Sequence, residues 1–170
     1  MITAHFSGEK VVSSSSDAFS FYEKSRLGEK KNGRIEYSSV EALHLVGSGK
    51  MAVMSGKKSL DGEVLLKKFK KKDKNIELKE TVFSDLRRKG YIVKTALKFG
   101  TEFRVYEKGV KPGEEHALWI LSVVGENEKM NWRDFAAKSR VAHSTRKKLL
   151  VGVVDEEGDV TYYEVGWVRT

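Results

Sequence analysis

Short apolar runs separated by glycine- and serine-rich turns make up the first third of the chain. Residues 10–13, 18–23 and 34–37 each place apolar side chains over a strand's length, with turn material at 13–17 and 28–33 between them. They predict three strands. Ser38 and Ser39 then precede Val40, Ala42, Leu43, Leu45 and Val46, a spacing that predicts a short amphipathic helix capped by serine and stopped by Gly47 or Gly49. Residues 50–54 read as another strand. Ser59 or Asp61 starts a second helix holding Leu60, Val64, Leu65 and Phe69 on one face. A third helix covers about 77–89, with Leu78, Val82, Phe83 and Leu86 inward and Gly90 just past its end.

The second half has a different rhythm. Residues 91–95 and 103–107 predict strands joined through Gly100, and Pro112, the only proline, marks 109–114 as a loop. Residues 116–124, rich in Trp, Ile, Leu and Val, form the most strand-like run in the chain. Asn131 caps a helix with Trp132, Phe135, Ala136, Ser139 and Ala142 at helical spacing. Residues 147–155 and 159–168 then predict a hairpin across 156–158. Strand–strand–helix–strand–strand order points to a mixed α/β (α+β) domain rather than a bundle or sandwich. Charge is dense and apolar content falls near 74–79. The expected organisation is therefore a small N-terminal α/β domain over 1–76 and a C-terminal mixed-sheet domain over 77–170.

Composition narrows the class. The chain has 170 residues, 39% of them hydrophobic, with 15 glycines besides. That is close to the globular norm and excludes wholesale disorder or a coiled coil. No apolar stretch approaches the roughly 20 residues a membrane helix needs. Met1-Ile-Thr-Ala-His-Phe lacks the basic and apolar regions of a secretory signal. A soluble, cytoplasmic protein with no membrane partner is the expectation. Cysteine is absent, which excludes disulfides, thiolate metal sites and cysteine nucleophiles together.

A net charge of +8 from 32 Lys+Arg and 24 Asp+Glu favours a polyanionic partner, because cations that neutralise phosphates release counterions. Six lysines, Lys67, Lys68, Lys70, Lys71, Lys72 and Lys74, crowd eight positions; alone they read as a solvated helix end. No P-loop, HExxH, EF-hand loop or GxSxG element occurs. The one dense acidic cluster, Asp155, Glu156, Glu157 and Asp159, falls on the expected hairpin tip, where a solvated turn outweighs metal binding. The expected metal set is none, and no cofactor is expected.

Specificity enters with longer blocks. Gly90-Tyr-Ile-Val-Lys-Thr-Ala-Leu-Lys-Phe-Gly-Thr-Glu-Phe-Arg-Val-Tyr106, then Glu115-His116, resemble the catalytic domain of archaeal tRNA-intron (tRNA-splicing) endonucleases. So do Ser139-Arg-Val-Ala-His-Ser-Thr-Arg-Lys-Lys-Leu-Leu-Val-Gly-Val-Val-Asp155 and Gly158-Asp-Val-Thr-Tyr-Tyr. These blocks cover about half the chain in the family's order. Ser39-Val-Glu-Ala-Leu-His-Leu is similar to part of the family's N-terminal domain.

The resemblance implies a short-subunit member of the family with a restriction-endonuclease-like catalytic domain. Such enzymes cut precursor tRNA at a bulge–helix–bulge without a metal ion, leaving a 2′,3′-cyclic phosphate and a 5′-hydroxyl. It maps a catalytic tyrosine, histidine and lysine onto Tyr106, His116 and Lys147. The choice of Lys147 over Lys148 rests on motif register, with period two placing the two on opposite faces of a strand. A histidine suits donation of the leaving-group proton, since its reference pKa of about 6.5 lies near working pH. A lysine supplies compact positive charge to the non-bridging oxygens. The tyrosine, assigned as base toward the 2′-hydroxyl, is the awkward member, because a phenol with a reference pKa of about 10 is mostly protonated at neutral pH; it acts either as that base or only to orient the hydroxyl. Taken singly, each of the three also reads as an ordinary strand residue. His143 is the decoy acid, and His5 and His44 read as structural or exposed.

The resemblance further implies that Arg140 stacks on a bulge nucleotide, as guanidinium planes do on unpaired bases. It implies a homotetramer, or a hetero-oligomer with a structural subunit. In either, the acidic tip docks into a basic cleft of an opposing subunit, and a last strand running to Trp167 pairs subunits. Gly152 stands where alanine is commoner. The competing readings are a structural or RNA-binding subunit without activity, a metal-dependent nuclease, and a basic DNA-binding protein.

Overall fold

Ser15 sits in extended backbone, and its side chain accepts the Ala18 N–H. That cap starts a helix where a strand was expected over 18–23: α1 spans Ser16–Ser25 and ends at Arg26 in the left-handed region. The serine run read as a turn is an N-terminal capping sequence, and Asp17 in the first turn complements the helix dipole. The computed structural model describes every residue of the chain except Glu9, Lys111, Pro112 and Glu114. Three positions of the loop expected over 109–114 therefore lie outside the described residues. The chain divides into two units, Met1–Glu80 and Thr81–Thr170, and both carry mixed sheets, so the fold is mixed α/β as expected.

In the first unit β1 (Ile2–Ser7), β2 (Lys10–Ser13), β3 (Glu29–Lys31), β4 (Arg34–Tyr37), β5 (Met51–Ser55) and β6 (Lys58–Leu60) form one sheet. Its order is β3-β4-β2-β1-β5-β6, with β1 and β5 parallel and the other neighbours antiparallel. The region 28–33, expected as turn, contains β3; the turn is confined to Asn32-Gly33, both at positive φ, as a two-residue hairpin loop requires. α2 (Ser39–Gly47) takes Ser38 as its cap in a reciprocal bond with Glu41, and α3 (Gly62–Lys70) takes Asp61.

The second unit is framed by α4 (Ile76–Arg88), whose C-terminus closes with Gly90 N–H to Arg87 O and Tyr91 N–H to Leu86 O. Its sheet runs β11 (Val160–Val165), β10 (Lys148–Val154), β9 (Trp119–Gly125), β8 (Phe103–Tyr106), β7 (Ile92–Thr95). β9 and β10 are parallel and joined by α5 (Trp132–Ser144); the remaining pairs are antiparallel. Period two separates two buried faces. On one, Ile120, Leu149 and Val151 pack with Ala142 of α5. On the other, Gly152 lies beside Val82 of α4, Leu121 and Tyr162.

Three expected boundaries shift, and two of them concern candidate site residues. β9 begins at Trp119 rather than 116, which leaves His116 and Ala117 ahead of the strand. β10 begins at Lys148, because the α5 C-terminus holds Lys147 in its closing turn. β11 stops at Val165, so Trp167 lies past the strand and packs its ring edge-on to His143 at 4.1 Å.

Candidate active site

Three separate segments of the second unit meet at one cavity of about 280 Å³. Tyr106 ends β8 and is only 4% exposed. Arg104, two residues earlier on the same strand face, and Tyr106 both line the cavity. His116 approaches from the segment before β9. Two backbone bonds fix that segment: Leu118 N–H donates to Val105 O at 2.9 Å, and Lys148 N–H donates to Leu118 O at 3.0 Å. His116 is exposed, so it reaches the cavity from the solvent side.

Lys147 arrives from a third direction. The last turn of α5 closes with Arg146 N–H to His143 O at 3.0 Å and Lys147 N–H to Ala142 O at 2.8 Å, with Arg146 at φ 56°. This is the paired closure usually built on glycine. The next residue enters the sheet, so the Lys147 backbone is clamped between a helix end and a strand start. Its Nζ donates to Thr145 O at 2.9 Å and rests 5.4 Å from the Phe99 ring centre. Lys148 is directed elsewhere: its Nζ pairs with Glu164 at 2.8 Å on an exposed strand face. Of the two adjacent lysines, Lys147 lines the cavity.

Phe99, Arg104 and Glu115 complete the charged and aromatic lining. None is among the residues the sequence points to, although the period-two relation of Arg104 to Tyr106 is a readable signal. Arg140 is exposed on α5 and does not line the cavity. His143 is turned to Trp167. The acidic tip is a structured turn: Asp155 Oδ1 accepts the N–H groups of Glu157 and Asp159, and Glu156 Oε1 accepts from Asn127. Among the described residues no three His, Cys, Asp or Glu side chains gather to hold a metal ion, and no helix is long and apolar enough to cross a membrane. A larger cavity in the first unit, about 430 Å³, is lined by Asp17, Phe21, Lys24 and Lys50 among others and holds none of the three candidate residues.

The arrangement places a phenol, an imidazole, an ammonium and a guanidinium around one space, which suits proton transfer to and from an anionic phosphate centre. Comparison with known proteins agrees in kind. Residues 2–66 match the family model for the tRNA intron endonuclease N-terminal domain, and residues 76–162 match that for the tRNA intron endonuclease catalytic C-terminal domain. A tRNA-splicing endonuclease from Thermococcus gammatolerans is 41% identical over 170 residues, 99% of each chain. The Pyrococcus furiosus protein of that name is 41% identical over 170 residues, 99% of this chain and 98% of its own. One from Nanoarchaeum equitans is 41% identical over 140 residues, 79% of this chain and 90% of its own. Two domain matches in order, with whole-length relatives at this identity, establish that the chain belongs to the tRNA intron endonuclease family.

Proposed function

We propose that this protein is a tRNA-splicing endonuclease that cuts precursor tRNA at bulge–helix–bulge sites by metal-independent transesterification. Residues 77–170 carry the chemistry in this reading, and residues 1–76 form a separate domain. The 2′-oxygen attacks phosphorus while the P–O5′ bond breaks, giving a 2′,3′-cyclic phosphate and a 5′-hydroxyl. Tyr106 takes the 2′-hydroxyl proton on its phenolate oxygen. His116, as imidazolium, gives its proton to the departing 5′-oxygen. Lys147 stabilises the charge that builds on the non-bridging oxygens.

The observation that carries this reading is the convergence of Tyr106, His116 and Lys147 on one cavity from the end of β8, the segment before β9 and the α5–β10 junction. Exposure of His116 suits its role, since the leaving strand must depart to solvent. Arg140, exposed on α5, is assigned to stack on a bulge nucleotide.

The working assembly in this reading is a homotetramer in which the acidic tip docks on a basic surface of another copy. A two-cut substrate needs two sites at fixed spacing, and complementary charge fixes such a register. Glu157 and Asp159 are the tip carboxylates whose side chains take no part in holding the turn.

Cleavage of a synthetic bulge–helix–bulge RNA in excess EDTA, with end-group analysis, tests the reaction. Paired cuts ending in 2′,3′-cyclic phosphate, lost in His116→Ala, are the expected result. Activity that appears only with Mg²⁺ overturns the mechanism, and no cleavage under either condition overturns the assignment of catalysis to this chain alone.

A further inference from the structure

Arg104 has a side chain that the reaction just described leaves without a task. Its Nε donates to Thr95 O at 3.2 Å, across the β7–β8 pair. That bond anchors the guanidinium by one edge, and it is the only hydrogen bond the group makes among the described residues. No carboxylate forms an ion pair with it there. Glu115 lines the same cavity. The remaining N–H groups stay available to a ligand.

Its neighbour sharpens the point. The residue directly across the antiparallel pair from Arg104 is Lys94, itself buried at 8% exposure. Side chains at directly opposed positions share a sheet face. A second cation on the sheet face that carries Arg104 and Tyr106 adds positive potential there, which suits the binding of an anion. Arginine also differs from Lys147 in kind, because its planar fork meets two phosphate oxygens at once whereas an ammonium acts as a point charge.

We infer that Arg104 is a phosphate-binding residue of the active site, gripping the backbone phosphate of the RNA that enters the cavity beside Tyr106. The inference rests on the proposed RNA-cleaving function and adds to it a second cation. Lys147 approaches from the helix–strand junction and Arg104 from the strand that carries Tyr106, so the phosphate is held from two elements.

The test uses the full-length protein and two forms of one bulge–helix–bulge RNA: the cleavable form, and a form with 2′-deoxy nucleotides at both cut positions, which binds but lacks the nucleophile. Affinity for the deoxy form is measured across salt, and single-turnover cleavage is measured at saturating enzyme. In Arg104→Gln, affinity is expected to fall about tenfold and the slope of log K against log salt to shrink by about one, as for the loss of one phosphate contact. Its cleavage rate is expected to fall about 100-fold, the usual effect of removing one transition-state donor. The melting temperature is expected to hold, because the substitution removes one hydrogen bond and no ion pair among the described residues. Arg104→Lys is expected to keep the salt slope yet lose about tenfold in rate, and it carries the test alone if the glutamine variant does not fold. A wild-type slope with wild-type rate in either variant, or a fall in melting temperature with binding unchanged, overturns the inference. His116→Ala separates the two levels: if it cleaves as well as wild type, the proposed function itself has failed, whatever Arg104 does.

Discussion

The Tyr162 hydroxyl donates to Asp85 Oδ2 at 2.8 Å, tying β11 to α4 across 77 residues of sequence. Burial of the Asp85 side chain, 15% exposed, works against its ionised form. The hydrogen bonds from Lys89 and Tyr162, with the charges nearby, outweigh that and hold its pKa below the ordinary carboxylate range. A depressed carboxylate stabilises the fold above its unfolded pKa, near 4, and that contribution is lost as pH falls through the folded value. Thermal melts are therefore expected to drop more steeply between about pH 5 and pH 3 in wild type than in Asp85→Asn. Tyr162→Phe is expected to cost about 1–2 kcal/mol at neutral pH. Parallel pH profiles for wild type and Asp85→Asn would sink this account.

Gly152 in β10 occupies a position with room for a methyl group. A Cβ built there meets Tyr162 and Val82 carbons at 3.4 Å and Leu121 at 3.5 Å, and its backbone is not in the left-handed region. These are contact distances rather than clashes. Gly152→Ala is expected to stabilise by about 0.5–1 kcal/mol, through a less flexible unfolded chain and added contact. Denaturant unfolding checks the sign, and a loss of stability means that the three neighbours cannot yield the last tenth of an ångström.

How much of this was legible in the sequence varied with the kind of signal. The helices α2, α3 and α5 followed from cap residues and apolar spacing, because Ser38, Asp61 and Asn131 each accept an N–H as their type predicts. α1 is ambiguous in the sequence, since Phe19, Phe21 and Tyr22 within a short run satisfy strand and helix periods alike, and the deciding residue, Ser15, sits among serines that equally suit a turn. β3 was hidden by its composition: Glu29, Lys30 and Lys31 are all exposed, so an edge strand made only of charges carries no apolar pattern. For the site, resemblance named Tyr106, His116 and Lys147 but could not show their convergence, which depends on parallel pairing of β9 with β10. Arg104 shares the strand face of Tyr106 by simple alternation, but a lone arginine on a strand carries the same signal as a surface residue.

Adjacent lysines at 147 and 148 offer an internal control. Lys147 Nζ faces the cavity, bonded to Thr145 O above Phe99, while Lys148 Nζ pairs with Glu164 on an exposed face. Lys147→Ala is expected to slow single-turnover cleavage by at least about 100-fold. Lys148→Ala loses one solvent-screened ion pair, worth no more than about 1 kcal/mol of stability, and is expected to cleave within about twofold of wild type. Equal damage from the two substitutions would remove Lys147 from its assigned role.

Arg146, with φ 56°, is a non-glycine residue in a conformation that side chains disfavour, one position before Lys147. Strain of this kind amounts to about 1–2 kcal/mol. Arg146→Gly is expected to raise stability by about 0.5–1 kcal/mol, net of glycine's greater unfolded-state freedom. Arg146→Val, β-branched in a left-handed position, is expected to destabilise and to slow cleavage by displacing Lys147. Melting curves and rates on the same preparations check both, and a valine variant with wild-type rate would show that this turn does not position the lysine.

The tip between β10 and β11 separates into carboxylates that hold the turn and carboxylates that face outward. Asp155 Oδ1 accepts two backbone N–H groups, and Glu156 is bonded to Asn127, so replacing either perturbs the hairpin itself. Glu157 and Asp159 contribute only their backbones to the turn. Charge reversal confined to Glu157→Lys and Asp159→Lys is therefore the clean probe of the proposed docking between copies. The double variant is expected to sediment as a smaller species than wild type while keeping its circular dichroism, and high salt is expected to shift wild type the same way, since such contacts are screened. Unchanged mass at micromolar concentration would remove the tip from the interface, and a wild-type monomer under those conditions would remove the tetramer.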